Sequence, residues 1–595
     1  MPAVYRGVSF RPVGGHTPPS DNLTIMERVA PRSAFEVGQN AAEIVAPEWD
    51  VIGPDTAGIG DALKAVLGGA ARNPADVMTA SIRLSSDLAR IPSTVLNFWI
   101  RKPKGDDKAP SDRRFADPAW TDNPYFHAIR LAYLAQCEFA RSLVGSSGVD
   151  AKQAAKASLG LNLLLDAVAP TNFLVSNPVA MKRAFETAGM SLLRGVRNLA
   201  LDVAQNKGRP RQVDSSAFTI GENLATTPAK VVFRNELMEL LQYEPQTDTV
   251  HATPLLCSPP WINKYYIMDL APDRSFIEWA IRHNRTVFAI SYRNPTKEMY
   301  RTTMDDYLVS GPRQALDVIS EVTGSPKIDI AGLCLGGAMT AITAAYLTQS
   351  GDDRVGNVTL LNTMLDYSEP GMLGVFTDEA AVDRVEKAMA KAGGTLEGES
   401  MAGTFDIMRA NDLIFNYVVS NWLLGQDPPA FDILAWNNDS TKMPGTMHAF
   451  YLRNFYVRNL LAQGQLEIAG QTIDLSSIKS NAYVVSAKND HIVPWQSAYK
   501  TTQLLSGTTR FVLSNGGHIA GIVNPPGPKS WFLSADDNPA EADEWMSTAT
   551  RTPESWWVDW AKWSAEHAGA MTSPPQLGSA KHPVLGPGPG TYVFT

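Results

Sequence analysis

The sequence predicts an α/β protein, with a mostly parallel sheet, right-handed crossovers, a helical N-terminal domain and one long lid insertion. Three observations carry this expectation. From about residue 211 onward, strand-length apolar runs alternate with helix-length segments. Before that point the apolar residues recur three and four apart, as on helices. Within the alternating part stand residues 327–337, where an apolar strand runs into Gly332-Leu333-Cys334-Leu335-Gly336-Gly337 and a small-residue helix follows at once over 338–347.

Taken in order, residues 1–55 are rich in Pro, Gly and polar residues without periodicity and read as a disordered tail. Residues 56–210 form the helical N-terminal domain, with helices expected over 125–144, 151–168 and 180–203 and a connection from Asp106 to Pro118. The catalytic core is expected over 211–366 and 480–570. Its strands fall at 253–258, 286–291, 327–333, 358–361, 482–486 and 510–513, and its helices at 275–283, 305–322, 338–347 and 495–505. Residues 367–479 break the alternation. Inserted after a strand of such a sheet, they lie over its C-terminal ends, where ligands bind. Nine aromatics between 411 and 460, Trp436 among them, mark this insertion as a lid. Trp556, Trp557, Trp560 and Trp563 fall largely on one helical face and read as core packing. The tail 571–595 ends in Gly586-Pro587-Gly588-Pro589-Gly590 and is expected to be extended.

Bulk properties exclude several classes. At 595 residues the chain exceeds one ordinary core. Its net charge of −9 disfavours nucleic acid as the main partner. Three cysteines without a C-x-x-C pair leave no disulfide framework or zinc ribbon and fit a reducing cytosol. No metal or cofactor is expected. The N-terminal residues lack the apolar core of a signal peptide. Residues 330–351 carry no charge, but four glycines and four Thr or Ser positions make them a buried strand and core helix rather than a transmembrane segment.

The strand–Gly-x-Cys-x-Gly-Gly–helix pattern has the mechanics of a nucleophile elbow, with cysteine where serine is usual. Glycines let the helix pack close to the strand, and the helix N-terminus favours a thiolate. A thiol needs a base and the base an orienting partner. His518, in Ser514-Asn515-Gly516-Gly517-His518, follows the last parallel strand, and Asp490 follows the strand before it. The order nucleophile, acid, histidine is that of the α/β-hydrolase architecture. His491 is the rival base, but it would share its short loop with the acid. For the oxyanion hole, the backbone N–H of Leu335 is one donor. Pro259 and Pro260 have none to give, so the second falls to Trp261 or Ile262, with Ile262 preferred.

These residues carry a resemblance. Arg114-Phe115-Ala116-Asp117-Pro118-Ala119-Trp120, Pro259-Pro260-Trp261-Ile262-Asn263-Lys264-Tyr265-Tyr266, Tyr292-Arg293-Asn294-Pro295, the elbow, Phe431-Asp432-Ile433-Leu434-Ala435-Trp436-Asn437 and Asp490-His491-Ile492-Val493-Pro494-Trp495 are similar to segments of the polyhydroxyalkanoate (PHA) synthase family. The likeness spreads over most of residues 105–595. The full-length N-terminal region resembles the single-subunit, short-chain class I type, although several segments look equally like the medium-chain class II, which leaves chain-length preference open. The resemblance implies an acyltransferase that polymerises 3-hydroxyacyl-CoA into storage polyester in the cytoplasm, at the granule surface and as a homodimer. Coenzyme A is then part of the substrate, not a cofactor. The family's catalytic Cys, Asp and His fall on Cys334, Asp490 and His518. Trp261, Tyr292 and Trp436 are expected near the pocket. Either His518 or Asp490 could activate the 3-hydroxyl. A cysteine hydrolase acting on thioesters or lactones, or a non-catalytic granule-surface protein, are the alternatives.

Overall fold

The computed structural model describes residues 58–101 and 112–595, all within one compact unit, Pro47–Thr595. The expected tail at 1–55 and most of the connection from Asp106 lie outside the described residues. Among those described, an eleven-stranded sheet organises the molecule. Its strands are β1 (Ala229–Arg234), β2 (Met238–Tyr243), β3 (Leu255–Ser258), β4 (Val287–Tyr292), β5 (Ile328–Leu333), β6 (Val355–Leu361), β7 (Ala482–Ala487), β8 (Thr509–Ser514), β9 (Phe532–Ser534), β10 (Thr550–Thr552) and β11 (Gly586–Pro587), in the order β10-β9-β8-β7-β6-β5-β3-β4-β2-β1-β11. The six strands from β8 to β4 are parallel, and every outer pairing is antiparallel. The chain folds as an α/β-hydrolase-type sheet with its parallel heart at β3–β8.

Helices precede this sheet: α1 (Ile59–Arg72), α2 (Pro74–Arg101), α3 (Pro124–Gly145), α4 (Ala151–Ala167), α5 (Pro178–Glu186) and α6 (Met190–Gln205). Local sequence explains several starts. Asn123, Asp150 and Asn177 each accept a backbone N–H at a helix N-terminus, and prolines occupy the first turns of α3 and α5. The single helix expected over 180–203 is two. Ala188 and Gly189 take left-handed conformations (φ 48° and 84°) between α5 and α6, which no continuous helix permits. The helix expected over 305–322 is likewise interrupted. Pro312, lacking an N–H, follows Gly311 at a non-helical φ −97°, ψ −115°, so α7 begins only at Gln314 and runs to Thr323.

Alternation along the strands divides the core in two. Ile328 and Ile330 of β5 face the helices α7 and α8 (Leu335–Gln349), while Ala331 and Leu333 join Phe276, Trp556, Trp557 and Trp560 on the other side. Both faces are therefore covered, which is why the parallel strands read as continuous apolar runs. Helix α8 is buried along nearly its whole length, and this accounts for the uncharged stretch around it. Among the described residues no helix is long and apolar enough to cross a membrane.

Residues 367–479 connect the adjacent strands β6 and β7. They include α9 (Glu379–Lys391), α10 (Gly398–Met408) and α11 (Gly445–Tyr451) with three π-helical turns, Asn411–Phe415, Val418–Leu423 and Leu452–Val457. The N-terminal helices clamp this segment from outside. Asn198 of α6 donates to the carbonyls of Asn421 (3.2 Å) and Gln426 (2.9 Å), and Trp422 Nε1 donates to Asp202 (2.8 Å). Lys152 Nζ reaches the Thr377 carbonyl at 2.7 Å and Lys156 pairs with Asp378. Gly195 is required here, since a Cβ would stand 1.9 Å from the Trp422 carbonyl oxygen. The C-terminal residues are not free: Gly586 and Pro587 pair with Val231 and Lys230, extending the sheet edge.

Candidate active site

Cys334 sits between β5 and α8 at φ 53°, ψ −115°. A β-carbon in that region carries strain on the order of 1–3 kcal/mol, sustained only where the surroundings fix the backbone. Here they do. Cys334 N donates to the Leu361 carbonyl at 2.8 Å, and its own carbonyl accepts from Gly337 N (3.0 Å) and Ala338 N (3.2 Å). The flanking glycines are steric requirements. A Cβ on Gly332 would lie 2.4 Å from Thr340 Oγ1, one on Gly336 2.1 Å from the Ser258 carbonyl oxygen, and one on Gly337 1.8 Å from Thr363 Oγ1. The turn therefore presses the start of α8 against the end of β3 and lifts the sulfur to the sheet's C-terminal edge.

Asp490 and His518 follow β7 and β8, neighbouring parallel strands, and so reach the same edge. Asp490 Oδ2 accepts from His518 Nδ1 at 2.7 Å, and its side chain is wholly buried. Asp490 Oδ1 is taken by the backbone N–H groups of Ile492 (2.8 Å) and Val493 (2.9 Å), which fixes the carboxylate's orientation. With Nδ1 committed to Asp490, the second ring nitrogen of His518 is the one left to serve the Cys334 thiol. Burial alone pushes the imidazole's pKa down, but the charges of Asp490 and Cys334 and the hydrogen bond to Asp490 outweigh it and hold the value well above 6.5. The loop is pinned from behind. Trp556 Nε1 donates to the Gly521 carbonyl, Trp557 Nε1 to that of Ile522 (2.9 Å each), and Asn362 to that of His518 itself. The tryptophan stripe expected as core packing thus also positions the histidine. His491 makes no such contact. Its Nδ1 is buried without a partner, and burial above all drives its pKa to about 4.

Cys334 opens onto a cavity of about 90 Å³ walled largely by residues 367–479. Its lining is apolar apart from a few groups. Tyr367, Tyr451 and Tyr456 pack against one another with ring centroids 4.9–6.2 Å apart, and burial above all raises the pKa of all three phenols. Leu335 and Ile262 both line the cavity beside Cys334. The contact between Gly336 and the Ser258–Pro259 carbonyls is what brings those two backbone segments together.

The structure does not bring Trp261, Tyr292 and Trp436 onto that wall. Trp261 is buried behind Tyr451 (6.2 Å) and against Tyr307 (5.6 Å), with which Tyr292 also packs at 5.4 Å. Trp436 turns its indole N–H to the Lys264 carbonyl at 2.8 Å, in the opposite core. Large aromatics near a site motif are drawn to whichever core completes their packing, and here that is not the cavity. The residues that sequence reasoning passed over include Tyr367, Met401, Phe405 and His448. For His448, Tyr451 and Leu452, their i, i+3, i+4 spacing across α11 and the start of the π-helical turn that follows it was the available signal.

The N-terminal region of poly-beta-hydroxybutyrate polymerase (PhaC) matches residues 111–280, and the alpha/beta hydrolase fold matches residues 258–525. The poly(3-hydroxyalkanoate) polymerase 1 of Ectopseudomonas oleovorans is 41% identical over 484 residues, 81% of this chain and 86% of that protein. The chain belongs to the poly(3-hydroxyalkanoate) polymerase family. Two further polymerases of the family, from Methylorubrum extorquens and Cupriavidus necator, are each 40% identical, covering 86% and 83% of this chain and 84% and 86% of theirs. Within this polymerase-family chain the hydrolase-fold match encloses Cys334, Asp490, His518 and the whole insertion. The N-terminal match takes in helices α3 to α6 and strands β1 to β3, so that part of the helical region is shared with the family.

Proposed function

We propose that the protein polymerises 3-hydroxyacyl-CoA into polyester with release of CoA, through an acyl group carried on Cys334. The observation that bears most weight is the arrangement thiol, His518, Asp490 on a strained elbow that faces an apolar cavity. His518 takes the thiol proton, and the thiolate attacks the thioester carbonyl. The carbon–sulfur bond to CoA breaks, and the CoA sulfur leaves with that proton. The N–H groups of Leu335 and Ile262 hold the oxyanion. A 3-hydroxyl of another monomer or chain end then attacks the acyl-cysteine, forming the ester and freeing Cys334. Of the two groups that could take the hydroxyl proton, His518 is favoured, because both oxygens of Asp490 are engaged. Thioester exchange is nearly isoenergetic, and ester formation draws the cycle forward. No cofactor is needed.

Chain growth requires that water not intercept the acyl-enzyme. In this reading the tyrosine-rich wall provided by residues 367–479 excludes it, not Trp436. The protein would work in the cytosol at the surface of the insoluble polymer it makes, as a homodimer by analogy with the family. Incubating the purified chain with 3-hydroxybutyryl-CoA tests the reading. CoA release with insoluble polyester is expected. Stoichiometric free 3-hydroxybutyrate would instead indicate a cysteine hydrolase, and no CoA release a non-catalytic relative.

A further inference from the structure

The cavity beside Cys334 contains one unmet hydrogen-bonding group. Thr377 and Thr404 spend their hydroxyls on the carbonyls of Gly374 (3.2 Å) and Ser400 (3.0 Å), and none of the three tyrosine hydroxyls is among the buried unpaired atoms. His448, on α11, is different. It lines the cavity, only 3% of its surface is exposed, and its Nδ1 has no hydrogen-bond partner. Among the cavity's described lining residues it is the only one with a buried side-chain polar atom left unpaired. Such an atom costs roughly 1–3 kcal/mol unless something supplies the missing bond. α11 presents it on the same face as Tyr451, one turn away. An imidazole with an unpaired ring nitrogen in this wall is explicable if the bound ligand carries a hydroxyl there.

We propose that His448 is a hydroxyl-binding residue, accepting a hydrogen bond at a ring nitrogen from the 3-hydroxyl of the acyl group held in the cavity next to Cys334. This rests on the polymerase reading and adds to it a group that tells a hydroxyacyl chain from a plain one. Burial lowers the pKa of His448 to about 4, so the ring is neutral near pH 7 and can accept as well as donate. A site built to hydrogen-bond a hydroxyl disfavours the analogue without one, because the protein atom is then left unpaired.

The test compares single-turnover CoA release from 3-hydroxybutyryl-CoA and butyryl-CoA by the full chain. The wild type is expected to favour the hydroxylated substrate roughly tenfold, the value of about one hydrogen bond. In H448F the ratio should fall to about one, whereas H448N, which can keep an acceptor near the Nδ1 position, should retain much of it. A ratio cancels any loss of folded protein. A wild-type ratio near one, or an H448F ratio equal to the wild type's, overturns the assignment. Failure of the wild type to release CoA from either substrate would count against the polymerase reading itself.

Discussion

Asp490→Asn is expected to lower CoA release by roughly 10³- to 10⁴-fold while leaving the protein folded, by the logic of acid–histidine pairs. The asparagine side-chain oxygen can still accept from Ile492 N and Val493 N, so the loop keeps its shape. What is lost is the acceptor for His518 Nδ1. An amide N–H facing that nitrogen selects the tautomer in which the proton lies toward Cys334, where a base cannot work. The charge that lifts the imidazole's pKa disappears as well, and burial, which lowers it, then dominates. The sign follows: the acidic limb of the residual activity moves to lower pH than in the wild type. Steady-state CoA release across pH, with circular dichroism to confirm folding, checks both parts. A variant with near wild-type turnover, or a limb moved to higher pH, contradicts the assignment.

Gly336→Ala is the second large effect. Its methyl would meet the backbone oxygens of Ser258 and Pro259 at 2.1 and 2.5 Å, and neither belongs to a flexible side chain. The first turn of α8 must therefore withdraw from the end of β3. Overpacking of this kind costs about 1–3 kcal/mol. Its chemical consequence is greater, because the shift separates the Leu335 N–H from Ile262 and moves Cys334, and misplacement by about 1 Å can cost on the order of 10²-fold. Gly145→Ala is the control: a methyl there meets nothing within 4 Å, and neither melting temperature nor turnover should change appreciably. Thermal melts beside CoA-release assays distinguish the two. An active, fully stable G336A would show that the close approach is not needed.

Much of this was legible in the sequence because the elbow compresses several constraints into a few residues. Gly332, Gly336 and Gly337 each occupy a position where a Cβ cannot fit, and such positions leave a pattern that can be read without coordinates. The parallel strands β3–β8 were readable for a related reason: burial on both faces makes them continuous apolar runs. The antiparallel outer strands were not. β9, β10 and β11 are only two or three residues long, and β11 contains Pro587, so nothing in their local sequence marks them as strands. Helix breaks at Ala188 and Gly311–Pro312 depend on backbone angles at single residues, which apolar periodicity overrides. The cavity wall was hardest to foresee. Tyr367 and Met401 lie far in sequence from His448 and Tyr456 and join them only through the packing of the insertion, whereas Trp261, Tyr292 and Trp436, close to recognisable motifs, went into the core.

The most direct test of the account is to identify the acylated residue. The full chain, mixed briefly with 3-hydroxybutyryl-CoA and quenched in acid, should carry a 3-hydroxybutyryl group on the peptide containing Cys334, and C334A should carry none and release no CoA. Acylation at Cys137 or Cys257, both buried, or undiminished CoA release by C334A, would contradict it.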